Sequence, residues 1–169
     1  MSRELWLLRH GKSLRDVDMI DFDRPLKKRG KQDAQRIGAW MQEQAYVPDT
    51  VISSPAKRAH DTAKRVYAAI GGDERDIRLD KRLYFQGVET LKTVLAECAG
   101  QCRSVLLVGH NPDFEELLVN LAGVADLPDV DKLLPTAALA RLLLPDDWGK
   151  LDAGCAQLLS ITYAKSLPA

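Results

Sequence analysis

The chain has 169 residues, 46% hydrophobic and 28% charged, which suits one soluble globular domain and excludes a disordered chain. Its 24 basic residues are balanced by 24 acidic ones, so no net field is available to hold nucleic acid. No apolar stretch is long enough to span a bilayer, and Arg3 and Glu4 precede only four apolar residues, unlike a signal peptide; the cytoplasm is the expected compartment.

In chain order, Leu5-Trp6-Leu7-Leu8 reads as a short buried strand that stops at Arg9-His10-Gly11. Ligands of open α/β sheets bind beyond the carboxyl ends of the strands. The strand thus delivers a fixed cation and an imidazole to such an end, with a glycine that allows a sharp turn. Taken alone, such a pair is more often an ion pair or a satisfied loop histidine than a catalytic one. The polar stretch from Leu14 to Arg29 carries Asp16, Asp18, Asp21 and Asp23, then Arg24, Lys27, Lys28 and Arg29. It fails as a calcium loop, because Ile20 stands where a ligand is due and the central glycine is missing. Its place after the first strand makes it a candidate rim of a site.

Gly30 to Tyr46 reads as a helix with Ala34, Ile37, Gly38, Met41 and Ala45 inward. Thr50-Val51-Ile52 is a strand ending at Ser53-Ser54-Pro55. Ser54 as N-cap and Pro55 as first residue would open a helix that buries Ala59, Ala63, Val66 and Ile70. Its first turn, with free N–H groups and Arg58 close by, would be an anion site, although Arg58 taken alone reads first as a surface residue of an ordinary first turn. His60 points away from Arg58 and is taken as a surface histidine.

Ile77-Arg78-Leu79 reads as a small strand and Val88 to Cys98 as a helix. Val105-Leu106-Leu107-Val108 is a fully apolar run, as expected of a buried parallel strand, and it ends in Gly109-His110-Asn111-Pro112. Asn111 can cap and Pro112 can start a further helix with Phe114, Leu117, Leu118, Leu121 and Ala122 on one face. Ala138 to Leu144 and Ala156 to Tyr163 read as two strands of a hairpin or antiparallel edge, with Thr136 a turn residue just before them. Cys98, Cys102 and Cys155 form neither a CxxC pair nor an even set and read as free thiols. A zinc site on Cys98, Cys102 and a distant histidine is the weaker alternative.

Three strand ends therefore carry Arg9-His10, Arg58 and His110, and right-handed crossovers place them on one edge. Two arginines, two imidazoles and two helix N-termini suit a phosphoryl group, whose equatorial oxygens carry the charge of the transition state. One histidine can attack phosphorus while the other steadies the oxygens. No carboxylate stands in a metal-binding arrangement with them, so neither a metal nor a cofactor is expected.

Arg9-His10-Gly11, Ser53-Ser54-Pro55 with Arg58-Ala59 and Thr62-Ala63, and Gly109-His110-Asn111-Pro112 resemble the three signatures of the histidine phosphatase (phosphoglycerate-mutase-like) superfamily, in order and spacing over nearly the whole chain. The resemblance implies a three-layer α/β/α sandwich with a mostly parallel central sheet, formed by a single domain over 1–169. It implies His10 as phosphorylated nucleophile and Arg9, Arg58 and His110 as phosphate ligands. The short length, Asp23-Arg24-Pro25-Leu26 with Arg29-Gly30, and Pro135-Thr136-Ala137-Ala138-Leu139 look like the compact phosphohistidine phosphatases.

The chain departs from the superfamily in one respect. Many members carry a long insertion before the second-histidine strand, which roofs the site and supplies an acid. Here only Gly71 to Arg103 is present; Asp80 and Glu89 are the nearest acidic candidates, and an open, shallow site is expected. The expected function is a metal-independent phosphatase acting on phosphohistidine of a partner protein. The alternatives are a phosphatase of small phosphate esters and a non-catalytic phosphate-binding module. Neither nucleic acid nor membrane is an expected partner, and a monomer is compatible with the chain.

Overall fold

A computed structural model describes residues 3–15, 18–98 and 103–168. Asp16 and Cys102 lie outside the described residues. One six-stranded sheet runs in the order β3-β2-β4-β1-β5-β6. Its strands are β1 (Arg3–Arg9), β2 (Thr50–Ser53), β3 (Ile77–Leu79), β4 (Ser104–Gly109), β5 (Leu139–Leu144) and β6 (Gln157–Thr162). The β3-β2-β4-β1 portion is parallel, while β5 and β6 add antiparallel to the β1 edge. The expected mostly parallel sheet and C-terminal hairpin are both present.

The apolar strands divide between the two faces at the period of two that a strand imposes. Trp6 and Leu8 of β1 join Ile37 and Met41 of α1 (Lys28–Glu43) and Ala59, Ala63 and Val66 of α2 (Lys57–Ala69) in one core. Leu5 and Leu7 join Leu91, Val94 and Leu95 of α3 (Val88–Glu97) and Phe114, Leu117 and Leu118 of α4 (Asp113–Ala122) in the other. A sheet buried on both faces by helix pairs is the three-layer α/β/α sandwich.

Three local boundaries differ from the sequence expectation. Helix α1 stops at Glu43, and Ala45 is exposed with φ +58 rather than inward. Ala45 N–H donates to the Gln42 carbonyl and Tyr46 N–H to the Met41 carbonyl, the paired bonds of a Schellman stop. Helix α2 begins two residues later than Pro55, with Ala56 as N-cap. The Ser54 hydroxyl instead closes a turn by accepting Ala56 N–H at 3.2 Å. Asn111 does not cap α4 either; its amide donates to the Leu134 carbonyl at 2.8 Å.

Candidate active site

The register aligns the strand ends. Arg9 lies opposite Gly109, and Ser53 opposite Val108. His10 N–H continues the ladder to the Gly109 carbonyl at 3.0 Å, and Ser54 N–H to the Val108 carbonyl at 2.9 Å. The β5 side closes the loop from behind: Ala137, held at φ +59, donates its N–H to both the Arg9 and His10 carbonyls. Gly11 then passes against the start of α1. A Cβ there would stand 2.7 Å from the Gly30 carbonyl oxygen, so only glycine fits. Gly11 N–H is buried and donates to Thr62 Oγ1 at 3.0 Å, and that hydroxyl donates to the Arg58 carbonyl at 2.7 Å. Thr62 thereby ties the histidine loop to the first turn of α2.

The structure brings His10, Arg58 and His110 together and places Arg9 beside them. The His10 and His110 ring centroids are 5.2 Å apart. His10 is 7% exposed, Arg58 1% and His110 1%. His10 Nδ1 lies 2.7 Å from the Gly11 carbonyl. A carbonyl accepts only, so Nδ1 carries the proton and Nε2 keeps its lone pair. Burial pushes the His10 pKa down to about 3; the Gly11 bond opposes this, and Arg58, Arg9 and Arg24 add to it. Burial, His10 and Arg58 likewise bring His110 to about 3, so both rings are neutral near pH 7. His110 Nε2 pairs with Ser54 Oγ at 2.8 Å. Its Nδ1, with Arg9 Nε and Arg58 Nε, is buried with no hydrogen-bond partner among the described residues.

The rim holds residues that the motifs do not announce. Arg58 donates to the Asp21 carbonyl at 2.7 Å and to the Asp21 carboxylate at 2.9 Å. The same carboxylate accepts the Tyr84 hydroxyl at 2.6 Å and Arg24 Nε at 3.0 Å. Partial burial opposes ionisation of Asp21, but the bonds from Tyr84, Arg58 and Arg24 prevail and hold its carboxyl well below the usual range. Arg24 also donates to the Ser13 hydroxyl and the Leu14 carbonyl, both at 2.8 Å. Asp21 belongs to a 3-10 turn, Asp21–Asp23, within the polar stretch expected to form the rim. The candidate was legible only as a region: a charge run does not tell which carboxylate turns inward.

Neither acidic candidate hydrogen-bonds to the side chains of this cluster among the described residues. Asp80 caps the 3-10 turn Lys81–Leu83, and its carboxylate is gripped by Arg82 at 2.7 and 3.0 Å. The Arg82 bonds hold the Asp80 carboxyl below its ordinary value against partial burial. Glu89 sits exposed in the first turn of α3 and borders a surface cavity with Lys92, Thr93 and Trp148. Aromatic rings border the site. Tyr84 and Phe85, which follow the 3-10 turn, stand 5.4 and 4.7 Å from the His110 ring, and Phe22 packs edge-on against Tyr84. Elsewhere, His60 is half-buried and Thr136 lies in the turn before β5. Cys98 is buried and Cys155 half-buried. No helix among the described residues is long and apolar enough to cross a membrane.

Such a cluster can bind a tetrahedral oxyanion and present it to an unprotonated imidazole nitrogen. The model of the histidine phosphatase superfamily (branch 1) matches residues 5–84. The uncharacterized protein Rv1276c of Mycobacterium tuberculosis is 29% identical over 157 residues, 90% of this chain and 96% of that protein. A protein from Agrobacterium tumefaciens named as the phosphohistidine phosphatase SixA superposes with a TM-score of 0.79 at 29% identity, covering 96% of this chain and 98% of the other. The protein histidine phosphatase SixA complexed with tungstate has the same fold, with a TM-score of 0.81 at 20% identity and the same coverage. Over residues 5–84 the chain is similar to the histidine phosphatase superfamily, and over nearly its whole length it shares the fold of these proteins.

Proposed function

We propose that this protein is a metal-independent phosphatase that works through a phosphohistidine on His10 and removes phosphate from phosphohistidine of a partner protein. The observation that carries the reading is the His10 ring, neutral and fixed by the Gly11 carbonyl at 2.7 Å, beside Arg9, Arg58 and His110. A pure phosphate binder needs those cations but no oriented nucleophile.

The chemistry follows from that orientation. The Nε2 lone pair of His10 forms a bond to phosphorus as the substrate's P–N bond breaks. The electron pair leaves with the substrate imidazole, which departs neutral if its distal nitrogen carries a proton. The conjugate acid of such an imidazole has a pKa of roughly 6.5, so solvent supplies that proton near neutral pH. The phosphorylated His10 ring is cationic, and its Nδ1–H remains bonded to the Gly11 carbonyl throughout. Water then attacks phosphorus, the bond pair returns to Nε2, and the excess proton leaves to solvent. Arg9, Arg58 and His110 are assigned to the phosphoryl oxygens, where arginines supply the charge that a metal ion supplies in other phosphotransfer sites.

The leaving group decides between the protein substrate and a small ester. An alkoxide is far more basic and needs a placed acid, worth about 10² to 10⁴ in rate. Asp80 is held ionised by Arg82 and Glu89 borders a different cavity, so neither is assigned as acid. Exposed Met19, Ile20 and Phe85 flank Asp21 and Tyr84 and offer apolar surface for a protein to cover. The test is kcat/KM on a phosphohistidine protein and on an alkyl phosphate, with wild type, Asp80→Asn and Glu89→Gln. The substitutions should slow phosphohistidine hydrolysis by less than about tenfold. Efficient wild-type turnover of the alkyl ester with none on phosphohistidine would transfer the assignment to small esters; binding without any turnover would leave a binding module.

A further inference from the structure

We infer that Phe85 forms a leaving-group subsite, a ring platform that selects phosphoryl donors whose leaving group is planar and aromatic. The inference deepens the phosphatase reading by naming what the site accepts next to phosphorus.

Phe85 is an apolar side chain with 46% of its surface exposed at the mouth of a cationic site. Its backbone is at φ +56, a region that bulky L-residues avoid. Such a conformation persists only where surrounding contacts over-determine it, and it concentrates at functional sites. The contacts here are aromatic. The Phe85 ring is 4.7 Å from the His110 ring at 37° and 4.8 Å from the Tyr84 ring at 56°. Tyr84 is fixed in turn by its bond to Asp21 and by Phe22. The segment is anchored at its other end as well: Gly87, at φ +89, donates its N–H to the buried Asp113 carboxylate at 3.0 Å. The strained turn therefore holds one Phe85 face against the site and leaves the rest of the ring to solvent.

The position matters because of in-line displacement. His10 attacks phosphorus from one side, so the leaving group points away from His10 and outward. His110, 5.2 Å from His10, borders the phosphoryl position, and Phe85 is the next ring beyond it. A group bonded to phosphorus on the outward side meets that lip. An imidazole can stack there, offset or edge-on, at the 4.5 to 7 Å centroid spacing usual for aromatic pairs. An alkyl alcohol or ammonia offers no ring to the same surface.

Two measurements test this. The first compares free phosphohistidine with phosphoramidate, which shares the P–N bond but lacks the ring. The ratio of their kcat/KM values should fall roughly 2- to 12-fold in Phe85→Gly and Phe85→Ala, mainly through KM for phosphohistidine, and should be kept in Phe85→Tyr. The glycine variant relieves the φ strain, and phosphoramidate turnover reads out any general disturbance of the turn. The second uses non-hydrolysable ligands: phenylphosphonate should bind wild type more tightly than methylphosphonate, and Phe85→Gly should erase the difference. An unchanged ratio, or an equal loss on both substrates, would overturn the subsite. Ring-selective phosphonate binding with no turnover of any phosphoryl donor would instead overturn the phosphatase reading and leave the subsite standing.

Discussion

Replacing Thr62 by valine removes one hydroxyl from the site with almost no change of shape. That hydroxyl accepts Gly11 N–H at 3.0 Å and donates to the Arg58 carbonyl at 2.7 Å. Thr62 is fully buried, so no water replaces it readily. Leaving a buried N–H unpaired costs about 1 to 3 kcal/mol. At this chain length each kcal/mol lowers Tm by about 2 to 4 °C, so the expected loss is roughly 2 to 12 °C. The effect on rate arises one residue away. The peptide plane between His10 and Gly11 sets the ring's position, and the Gly11 carbonyl holds Nδ1. A reacting group misplaced by about 1 Å can cost about 10²-fold. We therefore expect kcat/KM to fall about 10- to 100-fold in Thr62→Val, with much of both losses recovered in Thr62→Ser. Thermal denaturation and steady-state hydrolysis of phosphohistidine are the assays. A valine variant with wild-type Tm and wild-type rate would refute the view that Thr62 couples α2 to the histidine loop.

Further outcomes follow from the same geometry. His10→Ala should abolish turnover yet still bind vanadate, more weakly, because Arg9, Arg58 and His110 remain; near-wild-type activity would remove His10 from its role. Exhaustive chelation should leave the steady-state rate unchanged, and a loss restored by added magnesium or zinc would mean that a metal shares the charge stabilisation. His10 and His110 are held at about 3, below the unfolded value of about 6.5. The unfolded chain therefore binds protons that the folded one refuses, and folding stability should fall as pH drops from about 6.5 toward 3. Nitrogen-15 NMR of the two rings should accordingly show neutral imidazole down to pH 5 (roughly two units above their midpoints), whereas midpoints near 6.5 would contradict the burial argument.

Much of this site could be read from the chain because its parts sit at ends of apolar runs. Leu5 to Leu8 and Val105 to Val108 are buried on both faces, and buried parallel strands announce themselves as unbroken hydrophobic stretches. The residues that follow, His10 and His110, were then fixed in place by topology. Asp21 and Tyr84 were not legible. They meet each other across 63 positions and Asp21 meets Arg58 across 37, and neither belongs to a periodic pattern. Ser54 was misread for a related reason: a serine before a proline suits an N-cap, but its hydroxyl is engaged by His110 and by the Ala56 amide. Phe85 reads from sequence as an ordinary loop apolar residue; only its backbone conformation and its ring contacts single it out.

Where the phosphoryl group goes decides the role of His10 most directly. The protein should be mixed with a phosphohistidine donor, quenched in alkali within the first turnovers, and mapped by mass spectrometry, since phosphohistidine survives base and decays in acid. The expected result is a phosphoryl adduct on His10, bonded at Nε2 by phosphorus-31 NMR and missing from His10→Ala. An adduct on His110, or steady turnover with no adduct on His10 at any time, would contradict it.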